Sequence, residues 1–243
     1  MKIVISLYIL LLSLRYRVKL KGVEVLQSES PKLFLPNHQA IVDPQILFTQ
    51  ISRYTPVVPI TTETYFKIPV LKQTLHFINA VPVSDLTAGS RDTQVLQKIL
   101  DNVNKTINNN KSVLLYPSGQ IAEQGFEKIK NKKSAWTVVS DLPCNTKIIG
   151  VRISGLWGSM WSKANTGKSP DFFKTLLKGI FIVFANFIFF VPKRRVSIEF
   201  CDITLEAKQR AKKGRIVFNN FLEEFYNKNG EDEMRIVKHY FLK

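Results

Sequence analysis

Cysteine is scarce in this chain: Cys144 and Cys201 are the only two in 243 residues. Two lone cysteines exclude a disulfide scaffold and a cysteine-built metal centre, and they fit a reducing compartment. Histidine is nearly as rare, with three, so imidazole chemistry must fall on His38, His76 or His239. The last two have no partner at a telling distance and read as structural or exposed. Acidic residues are also few. Nineteen Asp and Glu stand against 35 Lys and Arg, a formal net charge of +16. That imbalance implies an anionic partner: nucleic acid, an acidic membrane surface, or a phosphorylated or acidic donor. Zinc-ligand spacing, an aromatic Gly-rich strand of the RNA-recognition type and a basic heptad are all missing, which argues against nucleic acid. The best basic patch, Lys208, Arg210, Lys212, Lys213 and Arg215, is explained equally well by a solvated or lipid-facing helix.

Long apolar runs are missing too. Ile3 to Leu14 carries no charge, but a helix over that stretch would reach only about 18 Å against a hydrocarbon core of roughly 30 Å. A small-residue cleavage site does not follow it, so a signal peptide fits poorly. Arg15-Tyr16-Arg17-Val18-Lys19-Leu20-Lys21 does follow, a basic and aromatic flank suited to the cytoplasmic side of a membrane interface. Residues 1–16 are therefore read as an interfacial membrane helix, peripheral or monotopic, with a buried first helix as the alternative. A second uncharged run, Gly179 to Pro192, lies between Lys178 and Lys193-Arg194-Arg195. It is apolar nearly all round. A buried core helix, a wall of an acyl-chain tunnel and a second membrane-dipping segment all fit it.

Strand and helix signals alternate along the rest. Arg17–Leu26 reads as a strand or hairpin, and Lys32–Pro36 as a short buried strand. Helix begins at Pro44. Pro56–Ile60 is a strand, Glu63–Phe77 helical with a break at Pro69, and Ala80–Val83 a strand. Arg91–Ile107 is a helix with apolar residues at Val95, Ile99, Val103 and Ile107. Strands follow at Ser112–Tyr116 and Lys147–Ile153, a helix between them at Lys132–Ser140, an edge-type strand at Val196–Cys201 and a helix at Ile216–Tyr226. No repeat or dividing linker interrupts this order. It predicts one α/β domain with a mixed, largely parallel central sheet flanked by helices.

The stretch that carries chemistry is Asn37-His38-Gln39-Ala40-Ile41-Val42-Asp43, directly after the apolar run ending at Pro36. Imidazole can take a proton near neutral pH, and a carboxylate on its other nitrogen fixes the tautomer. On one continuous helix, positions five apart would diverge. His38 is therefore expected on a loop and Asp43 at the start of a helix, where Asp43-Pro44 places an N-cap residue before a proline at the first helical position. The bland alternative is a cap and a satisfied polar residue. About 80 residues on, the strand at Ser112–Tyr116 ends in Tyr116-Pro117-Ser118-Gly119-Gln120.

Taken together, these two stretches resemble the lysophospholipid acyltransferase family, which includes the 1-acylglycerol-3-phosphate acyltransferases. The resemblance runs from about Lys19 to about Ser162. It is also similar to the acyltransferase portion of bacterial proteins that carry a fatty-acid-activating ligase. Residues 17–243 would then be the acyltransferase domain. The resemblance implies His38 as general base and Asp43 as its orienter. It implies Asn37, Tyr116, Pro117, Ser118, Gly119 and Gln120 as substrate-binding residues. No metal or cofactor is implied; acyl-CoA or acyl carrier protein would be the donor substrate, membrane lipids the partners, and an acyl-activating ligase a further one.

Two departures matter. Ser118 stands where the family has glutamate, with Gln120 or Ile121 where it has arginine. In Ala80-Val81-Pro82-Val83-Ser84-Asp85, Asp85 occupies another arginine position. Those arginines are associated with the acceptor phosphate, for which guanidinium is the natural clamp. Arg91 and Arg152 are the candidate replacements. The Gly- and Trp-rich stretch Val151–Ser162 reads either as a lining of the acceptor or acyl pocket or as a loop with interfacial tryptophans. The expected activity is acyl transfer from a thioester to a lysophospholipid hydroxyl. The rival is a catalytically inactive, membrane-associated lipid-binding module.

Overall fold

Leu33 and Leu35 face one side of the protein and Phe34 the other, and all three are fully buried. That pattern belongs to a central strand covered on both faces. In the computed structural model, residues 2–83, 93–238 and 241 are described. Seven strands form one sheet: β1 (Tyr16–Lys21), β2 (Lys32–Pro36), β3 (Val57–Thr62), β4 (Val81–Val83), β5 (Ser112–Leu114), β6 (Lys147–Ser154) and β7 (Arg194–Asp202). Their order is β1-β7-β6-β2-β5-β3-β4. Every neighbouring pair is parallel except β6 and β7. The sheet is thus mixed and mostly parallel, as the alternation of elements predicts.

The helices are α1 (Lys2–Ser13), α2 (Asp43–Ile51), α3 (Glu63–Phe66), α4 (Pro69–Phe77), α5 (Thr93–Asn108), α6 (Ser134–Asp141), α7 (Phe172–Ala185), α8 (Thr204–Lys212) and α9 (Arg215–Tyr226). One face of the sheet packs against α5, α6, α8 and α9 through Val103, Val138, Ala207 and Phe218. The other packs against α2 through Ile46, Leu47 and Ile51, with Ile5 and Leu12 of α1 beside them. Among the described residues no helix is long and apolar enough to cross a membrane.

Three expectations are corrected. Val196–Cys201 is an interior strand, since β7 lies between β1 and β6. Its alternation arises because one of its faces is buried and the other, at Ser197, Glu199 and Cys201, only half-buried, not because it is an edge. Residues 17–26 form no hairpin: β1 pairs with β7 and then gives way to a 3-10 turn at Val23–Leu26. Gly179–Pro192 is not a buried core helix, because Phe181, Phe184 and Phe189 are exposed.

Candidate active site

The carboxyl ends of β2, β5 and β6 lie side by side, and in an open α/β sheet that edge is where ligands bind. His38 follows β2, Tyr116–Gly119 follow β5, and Gly155–Gly158 follow β6. His38 Nδ1 lies 3.1 Å from Asp43 Oδ2. The same oxygen accepts the backbone N–H groups of Gln39 at 2.5 Å and Ala40 at 3.0 Å. Asp43 therefore holds the loop before its helix and does not cap the amides of α2, contrary to the N-cap expectation. The imidazole, 14% exposed, keeps contact with solvent while Asp43 is fully buried. With Nδ1–H donated to Asp43, Nε2 carries the free lone pair a base requires. Burial is the main influence on Asp43 and pushes its pKa up; His38 and the two amides pull against it. The Tyr116 ring lies against the imidazole, centroids 4.2 Å apart. Its hydroxyl is buried without a partner among the described residues.

Sequence reasoning missed Glu127. It is 2% exposed, and its Oε2 accepts the His38 backbone N–H at 2.9 Å. Its main chain is clamped to Asn227 in both directions, each bond 2.9 Å. Burial raises its pKa to about 8; the Ser118 hydroxyl and the His38 amide oppose that rise, and Asp43 and Glu223 add to it. The Ser118 hydroxyl also lies within hydrogen-bond reach of the Gln120 carbonyl, at 3.0 Å, so the two acceptors share one donor. Thus a buried carboxyl group stands behind the His38 main chain although residue 118 is serine. Asp232 is a second missed residue. Its Oδ2 accepts from Gln39 Nε2 at 2.6 Å and from the Gly155 amide at 2.9 Å, tying the loops after β2 and β6 to the C-terminal segment.

The remaining predicted residues divide. Tyr116, Pro117 and Ser118 are buried beside the His38 loop, with Gly119 exposed and Gln120 half-buried. Gly119 takes a positive φ of 64°, and its N–H is given to the Tyr116 carbonyl at 3.1 Å. Asn37 uses both ends of its amide on Ile153, at 2.9 and 2.7 Å, and so pins β2 to β6. Arg152 is not a spare clamp either. Its Nε and Nη2 bond Glu199 at 3.1 and 2.9 Å, Nη1 bonds the Phe225 carbonyl, and the guanidinium lies over the Phe225 ring. Asp85 and Arg91, like His239, lie outside the described residues. His76 sits edge-on to Phe66. In the Val151–Ser162 stretch Trp157 is buried, and Trp161 is half-buried, packing on the core with its carbonyl accepting the Ile41 amide at 3.0 Å. Gly155 carries a real constraint there. Its φ is 91°, and a side chain would meet the Arg195 carbonyl at 2.4 Å.

A family model described as Acyltransferase matches residues 17–154. The chain belongs to the Acyltransferase family. That match takes in His38 and Asp43 as well as the turn at Tyr116–Gly119. Among solved structures the fold is similar to the 1-acyl-sn-glycerophosphate (LPA) acyltransferase PlsC from Thermotoga maritima. The TM-score is 0.54 and the identity 15%, over 88% of this chain and 70% of that one. At that identity the likeness concerns the fold. No curated protein matches the chain. A polar cavity of about 220 Å³ lies behind the acyltransferase loop, lined by Asn37, Gln39, Glu127, Arg152 and Asp232 among others. Its lining flanks His38 through Asn37, Gln39 and Glu127 but includes neither His38 nor Asp43.

Proposed function

We propose that this acyltransferase moves a fatty acyl group from a thioester, acyl-CoA or acyl carrier protein, to the hydroxyl of a lysophospholipid. The observation that carries the reading is the 3.1 Å pair of His38 and a fully buried Asp43 at the carboxyl end of β2. His38 Nε2 removes the hydroxyl proton as the oxygen attacks the thioester carbonyl. The tetrahedral intermediate expels the thiolate, breaking the C–S bond, and the thiolate recovers the proton from the imidazolium. Asp43 holds the tautomer and stabilises the cationic ring, as in triad logic. Glu127 is a positioning residue: it fixes the His38 main chain and does not meet substrate. The amides of Gln39, Ala40 and Gly119 are already committed within the protein, so the oxyanion needs other donors.

The acceptor is one without a free phosphate monoester. Arg152 is paired with Glu199 and Ser118 replaces an acid, so no described residue at the Tyr116–Gln120 turn supplies a guanidinium clamp. A head-group-bearing lysophospholipid fits that turn better. Attachment is peripheral, on the cytoplasmic leaflet, through α1, whose Leu7, Leu10 and Leu11 are exposed; an acyl-activating ligase is a fitting partner. The test is acyl transfer by purified protein across a panel of lysolipids with both thioester donors. Turnover of any lysophospholipid that is absent in His38→Ala supports the proposal. Lipid binding without turnover for every pair would refute it.

A further inference from the structure

The helix α7 is built inside out. Thr175 and Ile182, with Asn186 just past the helix end, are its buried positions and mark the face turned to the protein. The opposite face presents Leu177, Phe181 and Phe184, which are 65, 61 and 66% exposed. An ordinary surface helix has the reverse arrangement. Asn186 is buried with Nδ2 on the Ile182 carbonyl and Oδ1 unpartnered. Beyond the helix, Phe187 and Ile188 adopt left-handed backbone, with φ 49° and 61°, and the turn leaves Phe189 89% exposed. A contiguous apolar ridge of this kind marks an interaction surface.

Charge and position choose what covers it. Residues 172–195 contain no acidic side chain. Lys174 and Lys178 are exposed on the flank of the apolar face, and Lys168 and Lys193 are exposed near its two ends. An apolar ridge edged by cations matches an anionic bilayer, where rings enter the acyl boundary and ammonium groups meet the head groups. Position agrees. β1 and β7 are parallel and begin level, Tyr16 opposite Arg194. Arg15 Nη1 donates to the Pro192 carbonyl at 3.0 Å, and the Arg194 amide donates to the Arg15 carbonyl at 2.8 Å. The end of α1 and the end of the phenylalanine segment therefore meet. Because β7 runs against β6, and β6 runs with β2, they meet at the end of the sheet from which His38 emerges.

We propose that Leu177–Phe190 is a second membrane-docking element, which inserts its phenylalanines into an anionic bilayer and, with α1, turns the His38 end of the sheet toward that surface. The docking is independent of the acyltransferase reading; only its use in presenting a lipid acceptor rests on that reading. The experiment compares the full chain with a Phe181→Ser, Phe184→Ser, Phe189→Ser variant. Co-sedimentation is measured with mixed phosphatidylcholine–phosphatidylglycerol vesicles and with phosphatidylcholine alone, alongside light scattering for oligomeric state. All three side chains are exposed, so the variant should fold, and its circular dichroism and unfolding midpoint check this. Expected is a loss of roughly tenfold or more in binding to the mixed vesicles, weaker binding of the unaltered chain to the uncharged vesicles, and an unchanged oligomeric state. Equal vesicle binding by variant and unaltered chain would overturn the proposal. So would a dimer that the substitutions dissociate while leaving vesicle binding intact, since the ridge would then be a self-association face. His38→Ala should bind vesicles normally, so failure of the catalytic reading and failure of docking give different results.

Discussion

Removing the charge of Glu127 should make the protein more stable at alkaline pH and leave it unchanged in mild acid. The group is buried, and its pKa is raised from 4.5 to about 8. One unit corresponds to about 1.4 kcal/mol, so the whole shift amounts to roughly 5 kcal/mol, an upper value because local relaxation relieves part of it. The folded state binds the proton more tightly than the unfolded chain. Its contribution is thus fully present below about pH 4.5, falls as pH rises toward about 8, and is lost above that. Glu127→Gln keeps an oxygen to accept the His38 N–H and cannot ionise. Guanidinium unfolding of both proteins at a series of pH values, with the difference taken at each, cancels titrations they share. Near pH 5 the two should agree within about 1 kcal/mol, and near pH 9 the variant should lead by about 2–4 kcal/mol. A difference that does not change with pH would refute the reasoning. So would a variant that loses ground as pH rises, since Glu127 would then be stabilised in its charged form.

Asp43→Asn should lower kcat by roughly 10²–10⁴-fold, because an amide does not stabilise the imidazolium. It should also cost about 1–2 kcal/mol of stability, since the carboxylate holds both loop amides; denaturant midpoints and steady-state kinetics check the two effects separately, and full activity would reduce Asp43 to a structural clamp. Lysophosphatidylethanolamine should be a better acceptor than lysophosphatidic acid. Each missing guanidinium contact forfeits about 1.5–3 kcal/mol on a phosphate dianion, and a clear preference for lysophosphatidic acid under the same detergent conditions would contradict the acceptor argument.

What the sequence made legible was local. The apolar run at Leu33–Pro36 reads as part of a short buried strand, and the five-residue spacing of His38 and Asp43 placed one on a loop and the other at a helix start. What it hid depends on distant parts of the chain. Glu127 sits in a stretch without periodicity, and it is held by Asn227, one hundred residues on. Arg152 looks like a free cation until Glu199, 47 residues away, is laid beside it on β7. Alternation in β7 reads the same for an interior strand with one half-buried face as for an edge strand. The run at Gly179–Pro192 is apolar all round, so no moment in the sequence shows which face it buries; the positions of Thr175 and Asn186 do.

The central claim, that His38 is the base for acyl transfer, is tested most directly by turnover of lysophosphatidylethanolamine with a thioester donor in His38→Ala. Circular dichroism and vesicle binding of the same preparation establish that the fold and docking are intact. The account predicts a loss of roughly 10²–10⁴-fold in turnover with both unchanged. Undiminished turnover in a folded, vesicle-bound His38→Ala protein would contradict it.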